Sequence, residues 1–312
     1  MGKSKHFRRY QRKQPRTLPL SQIIFLDQFS VQDIRRWKNF GDKFLKFHWD
    51  YYSFLAHERS KIAEEIRKEL FAAVTQNFQF SKWQRTLKYK YSLKPFSVAG
   101  SLVDPGGRFN IGDLNSSKFT PFPAFYIAAH KDTALQELLC QKIEIGKEEQ
   151  APNFALADPS SITNVSLSGF LDSIIDLRES DRLQPFLNLI KDFSIPDYLE
   201  KAAKEIGEKI ILIKTVPALI EALLIPNWRQ WPMMFDVPTA SQIFGQLVAD
   251  AGIEGILYPS KFTEKECLVI FPQNFDATDS FIEIDDEAPP ENKIRRLDVN
   301  TWKMHQGELL GY

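Results

Sequence analysis

Apolar residues recur at spacings of three and four along the front of the chain, then at spacings of two or in short unbroken runs. Residues 18–74 therefore read as helical. Trp37, Phe40, Phe44 and Phe47 fall on one helix face, a stripe that predicts core packing rather than a cofactor box. Ile62, Ile66, Leu70 and Phe71 mark the apolar face of a further amphipathic helix, with Lys and Glu on its other side. From about Gln79 the texture changes. Residues 89–98 are aromatic and β-prone, and Gly100, Pro105, Gly106 and Gly107 mark a turn. Residues 124–128 predict a short apolar strand. Asp132 and Thr133 offer a helix cap before the apolar face of Ala134, Leu135, Leu138 and Leu139.

Further on, residues 146–159 read as loop and 166–207 as helical material broken by Pro185 and Pro196. Residues 210–213 are a strand candidate. A helix is expected over 238–251, with Ile243, Leu247 and Val248 on one side. Residues 255–258 and 268–271 are apolar strands flanking a polar loop, which suits a hairpin or a neighbouring pair. From Asp276 the chain reads as a polar tail.

Charge changes this picture in one place. The 40 basic and 40 acidic residues cancel over the whole chain. Residues 1–16, however, carry Lys3, Lys5, Arg8, Arg9, Arg12, Lys13 and Arg16 and no acid. This arm reads as solvated, and contact with nucleic acid is expected only through it. It has no apolar stretch of the kind a secretory signal needs, and no run reaches the roughly 20 apolar residues that span a bilayer. Cys140 and Cys267 are too few for a disulfide scaffold. A cytoplasmic protein is expected. His6, His48, His57, His130 and His305 form no metal-ligand spacing, so no metal is expected.

The segment Asp104-Pro105-Gly106-Gly107-Arg108-Phe109-Asn110 stands out. Pro105 followed by Gly106 suits a type II turn, and two glycines let the backbone approach a bound group closely. Arg108 projects from that turn with a guanidinium that can grip phosphate through two parallel hydrogen bonds. A solvated surface turn would carry the same residues. Tyr126 lies inside an apolar strand, where its ring either packs in the core or faces a flat heterocycle. Glu137 sits on the helix bearing Ala134 and Leu138, turned from the centre of its apolar stripe toward solvent or toward a cleft. Ser260 has no Gly-x-Ser-x-Gly surroundings, so it reads as a hydrogen-bonding residue rather than a nucleophile. Neither a phosphate-binding Gly-x-x-x-x-Gly-Lys loop nor a dinucleotide fingerprint occurs.

Taken in order, Gly106 to Asn110, Ala124 to Ala128, Thr133 to Glu137 and Gly252 to Ser260 resemble the RES domain, a family named for its Arg, Glu and Ser. Pro238 to Gln242 and Cys267 to Phe271 resemble it too, so the likeness runs, with interruptions, over about 85–275. The chain departs from the family where an Arg often precedes the Gly-Gly-Arg turn. Lys88, Lys90 and Lys94 stand there, and Arg85 is the nearest arginine. The expected organisation is a basic arm over 1–17, a helical region over 18–80, a RES domain over 81–275 with a helical insertion near 147–207, and a tail over 276–312.

The resemblance implies an α+β fold like that of ADP-ribosyltransferases, with an N-terminal helical extension in this chain. It implies a toxin-like enzyme that cleaves NAD⁺ between nicotinamide and ribose, by hydrolysis or phosphorolysis, with no cofactor besides NAD⁺ as substrate. Arg108, Tyr126, Glu137 and Ser260 would be its catalytic residues. Gly106, Gly107, Asn110, Lys88 and Lys90 would bind the substrate. The partner implied is a helix-turn-helix antitoxin; a homo-oligomer is left open. ADP-ribosyl transfer to a macromolecule and a non-catalytic scaffold role are the alternatives.

Overall fold

A computed structural model of the chain describes residues 31–115, 117–139, 162–287 and 289–305. The basic arm, the loop expected at 146–159 and Cys140 lie outside the described residues. Residues up to Tyr51 group with Pro196–Lys209, and Tyr52–Ile195 groups with Ile210–Tyr312 in a larger unit. Helix α1 spans Val31–Lys61 and α2 spans Ala63–Ala72, with the break at Ile62. The predicted faces are kept in part. Ile66, Leu70 and Phe47 are buried, whereas Phe40 and Phe71 are exposed.

Strand β1, Thr75–Lys88, comes earlier than the sequence suggested, and Tyr89–Tyr91 is a 3-10 turn rather than strand. Helix α3 (Ala99–Leu102) leads into the short hairpin β2 (Gly106–Gly107) and β3 (Asn110–Ile111). Strand β4 (Phe125–Ala128) and helix α4 (Lys131–Leu139) fall where predicted. The largest correction is β5, Ile162–Asp176, a strand where helical insertion was expected. Val165, Leu167, Gly169 and Leu171 alternate with Ser166, Ser168 and Phe170 along it, a period of two.

Beyond β5 the chain is helical: α5 (Gln184–Ile190), α6 (Asp197–Ile206), α7 (Val216–Leu223), α8 (Gln230–Phe235) and α9 (Ala240–Asp250). Pro185 and Pro196 open helices rather than break them, since proline's missing N–H costs nothing in a first turn. Residues 210–213 are not a strand. Strands β6 (Gly255–Pro259) and β7 (Glu266–Ile270) pair antiparallel as expected. The supposed tail instead adds β8 (Phe281–Ile284) and β9 (Arg296–Leu297) to the sheet.

The described strands form one seven-stranded sheet, in the order β1-β4-β7-β6-β5-β8-β9, besides the β2–β3 hairpin. β1 also pairs with β5 from Thr75↔Ile174 to Lys88↔Ile162, so five strands close into a ring. Among the described strands, only β5 and β6 run parallel. This is an α+β architecture.

Both faces of the central strands are covered. Ile256, Tyr258 and Val269 join one core with Ile66, Leu70, Phe109 and Phe244. Leu257, Leu268 and Ile270 join the other with Trp83, Phe125 and Leu167. That is why β6 and β7 are unbroken apolar runs rather than alternating ones. Among the described residues, no helix is long and apolar enough to cross a membrane.

Candidate functional site

Arg108 and Phe109 form the two-residue tip of the β2–β3 hairpin. The preceding turn closes one residue earlier than a type II turn on Pro105-Gly106 would. Gly106 N–H donates to Val103 C=O at 2.7 Å, and Pro105 follows a cis bond. Phe109 points into the core and is fully buried, which turns Arg108 the other way. Arg108 is itself buried, at 5% exposure. Its Nη1 donates to the carbonyls of Ile225 (3.0 Å) and Leu223 (3.4 Å), at the C-terminal end of α7. A cation there complements the negative end of the helix dipole. Its Nη2 is buried without a hydrogen-bond partner among the described residues.

Asn110 is the internal brace of this turn. Its side-chain amide donates to Ser101 and Phe122 carbonyls, and its Oδ1 accepts from Gly107 N–H and Tyr126 Oη at 2.9 Å each. With its polar atoms so occupied and no exposure, Asn110 holds the turn and does not line the cavity. Gln242 braces from outside. Its Nε2 donates to the carbonyls of Pro105, Gly107 and Asn110, while its Oε1 accepts from Thr239 N–H in the cap of α9. Two glycines permit the close fit. A Cβ on Gly107 would lie 2.3 Å from Tyr126 Oη, and one on Gly245 of α9 would lie 1.9 Å from the Phe109 carbonyl oxygen.

Tyr126, on β4, donates its hydroxyl to Asn110 and accepts from Phe109 N–H at 3.1 Å. Burial pushes that hydroxyl well above the usual tyrosine range, so it is a neutral hydrogen-bonding group. Glu137 projects from α4 and accepts from Ser260 Oγ at 2.6 Å. Ser260 follows β6, is 2% exposed, and also receives the Phe262 N–H at 3.1 Å. It stands behind Glu137 rather than in the cavity wall.

Arg85, the nearest arginine upstream of the turn, lines the same cavity as Arg108. Its side chain lies over the Phe125 ring at 3.9 Å and donates through Nη2 to Ser97 C=O at 2.7 Å. Its Nη1 is buried with no hydrogen-bond partner among the described residues. Burial pulls its pKa down from 12.5 to about 9, so it is still a cation at neutral pH. Lys88 is exposed at the end of β1 and does not line the cavity, and the Lys90 side chain lies outside the described residues. A sequence signal for Arg85 exists. It sits between Trp83 and Leu87, two buried residues on the same strand face, so its side chain must enter the interior.

These groups meet in one cavity of about 280 Å³, close to the roughly 300 Å³ lower end of small-molecule pockets. Arg85, Gly106, Gly107, Arg108, Tyr126 and Glu137 all line it. Trp228, Arg229, Lys261 and Phe262, which the sequence reading did not single out, complete the wall. Cys267 lies there too, but burial pushes its thiol well up, which keeps it protonated and unreactive. No cluster of metal-ligating side chains occurs among the described residues.

A concave, predominantly cationic site with one serine-held carboxylate thus sits on an α+β scaffold. The chain belongs to the RES domain family, whose model matches residues 82–291. Among solved structures it is similar to a chain of the M. tuberculosis MbcT-MbcA toxin-antitoxin complex. That likeness has 13% identity and a TM-score of 0.34, over 79% of this chain and 98% of the other. A comparison with curated proteins gave no match.

Proposed function

We propose that this chain cleaves NAD⁺ at the bond between nicotinamide and ribose, in the cleft that an ADP-ribosyltransferase-like RES fold provides. The observation that carries the reading is that two buried guanidinium groups and one oriented carboxylate share a single cavity. Burying a charge without a counter-ion is costly, so Arg85 and Arg108 call for an anionic ligand. The diphosphate of a dinucleotide is such an anion, and planar guanidinium forks suit its oxygens.

When the glycosidic bond breaks, its electron pair goes to the nicotinamide nitrogen and the cationic ring leaves neutral. No general acid is needed. Positive charge builds on the ribose instead, as in other glycosyl cleavages. Glu137, fixed by Ser260, would stabilise that charge without having to reorient. Arg85 and Arg108 would hold the diphosphate and so place the reacting bond. The Tyr126 ring, with Ala128 and Leu138, gives an apolar wall suited to nicotinamide. The oxygen of water, losing a proton to solvent, or of inorganic phosphate would then bond to ribose C1′.

An enzyme of this kind depletes a central metabolite and would act as a toxin. Such an activity needs restraint, and a helix-turn-helix antitoxin is the partner this family reading supplies. Incubating purified protein with NAD⁺ and measuring free nicotinamide tests the proposal. Release is expected, with ADP-ribose or its 1-phosphate as the second product. An intact NAD⁺ pool would overturn it, and label from NAD⁺ appearing on a macromolecule would favour transfer instead.

A further inference from the structure

The loop joining β6 to β7, residues 260–265, is fastened both to itself and to helix α4. Within the loop, Ser260 N–H donates to the Lys265 carbonyl at 2.7 Å and Glu264 N–H to the Ser260 carbonyl at 2.9 Å. Glu264 turns the chain with a φ of 60°, in the left-handed region that a residue with a side chain keeps only where its surroundings hold it. Across to α4, Ser260 Oγ donates to Glu137 at 2.6 Å, and the hydroxyls of Thr263 and Thr133 share a hydrogen bond of 2.9 Å. Thr133 and Glu137 stand at positions i and i+4, so both anchors fall on one face of the helix.

Phe262 sits between these anchors. Its N–H donates to Ser260 Oγ at 3.1 Å, so one serine oxygen bonds both this backbone and the Glu137 carboxylate. Phe262 lines the cavity and is only half-buried, although Lys261 Nζ stands 4.6 Å from its ring centroid. An aromatic ring on a support that is already fixed gives a flat heterocycle area to stack on at little cost in ordering.

Resting on the dinucleotide reading above, we infer that Phe262 packs against the nicotinamide ring and is a specificity-determining residue. The role proposed for Glu137 puts a ribose beside that carboxylate, and nicotinamide is bonded directly to this ribose. The adenine lies beyond the diphosphate and a second ribose. Nicotinamide is therefore the base within one sugar of Phe262. The ring adds a second aromatic group to the wall that Tyr126 supplies, from a different element of the fold.

The test compares full-length wild type with Phe262→Ala and Phe262→Tyr. Free nicotinamide and pyrophosphate are the binding probes, measured by equilibrium dialysis with labelled ligands, beside kcat/KM for NAD⁺. Phe262→Ala is expected to bind nicotinamide about tenfold more weakly, within the range that one stacked ring contributes. Its affinity for pyrophosphate should match wild type, and kcat/KM should fall in step with nicotinamide binding. Phe262→Tyr keeps a ring and is expected to restore the affinity. Equal losses for the two probes would assign Phe262 to the fold, and an unchanged nicotinamide affinity in Phe262→Ala would remove it from the site. Either result overturns the inference, as does a Phe262→Tyr protein no better than Phe262→Ala. Should wild type leave NAD⁺ intact yet bind nicotinamide in this Phe262-dependent way, the proposed cleavage fails and the aromatic wall stands.

Discussion

Ser260 Oγ donates a 2.6 Å hydrogen bond to Glu137 Oε1, joining the end of β6 to helix α4 across 123 residues of chain. In the proposed reaction Ser260 would be a positioning residue, acting through the carboxylate it holds.

Two substitutions separate these roles. Glu137→Gln should slow nicotinamide release by about 100-fold or more, the loss of roughly 3 kcal/mol of transition-state stabilisation. Ser260→Ala should lower kcat about tenfold, from roughly 1.5 kcal/mol of charge-assisted hydrogen bonding, with KM and melting temperature little changed. Steady-state kinetics on both variants checks this. Equal KM and kcat effects in Ser260→Ala would assign the serine to substrate contact.

The buried arginines should behave oppositely toward stability and binding. Arg85 has a folded pKa of about 9, below its unfolded value, so its burial opposes folding below that pH. The penalty is relieved as pH rises through about 9. Arg85→Met should therefore leave the melting temperature at neutral pH unchanged or raised, while abolishing the stabilisation that pyrophosphate gives wild type. That gain is about 2.7 kcal/mol at 100-fold saturation. Arg108→Ala should mainly raise KM. Thermal melts with and without pyrophosphate, plus kinetics, measure both, and pyrophosphate stabilising Arg85→Met as it does wild type would refute the clamp.

Gly245→Ala tests whether α9 sets the turn. The added methyl meets the Phe109 carbonyl at 1.9 Å, so helix or turn must move. A loss of about 2–3 kcal/mol is expected, roughly 5–10 °C in melting temperature, with activity lost beyond what the unfolded fraction explains. Calorimetry and assay below the transition decide this.

Glu254 is fully buried and accepts from Asp172 and Ser173 N–H and from the hydroxyls of Thr278 and Ser280, with no cation beside it in that set. Burial raises its pKa despite these donors. Between the usual glutamate range and the raised value, the folded state thus binds more proton than the unfolded state. The associated stability is fully present below the usual glutamate range and declines as pH rises through the raised value. Relative to Glu254→Gln, wild type should lose stability from about pH 4 upward. Urea unfolding of both proteins across that range measures the gap, and a constant gap would refute it.

How far the sequence could be read follows from which residues carry local signals. The Gly-Gly-Arg turn, β4, α4, α9, β6 and β7 were legible because a turn residue, a cap or an unbroken apolar run marks each. β5 was misread because its serines and its buried Gly169 dilute a two-residue period into something that resembles polar helix. β8 and β9 were missed because each is short and half-polar, and gains its meaning only beside β5. In the cavity, Arg108, Tyr126 and Glu137 could be named in advance. Gln242 stood only at the end of a family-like stretch; its place in the capping box of α9 and its grip on three carbonyls of the turn are visible only in three dimensions.

Arg108 leans on carbonyls at the end of α7, so in the proposed reading the firmness of substrate capture would be partly written in residues 216–225, which carry none of the family's named residues. Adding or removing one residue in that helix would swing its terminal carbonyls by about 100° and drag the guanidinium along. Homologues with identical turns could therefore differ widely in appetite for the same molecule. Evolution has a dial here that leaves the bond-breaking parts alone.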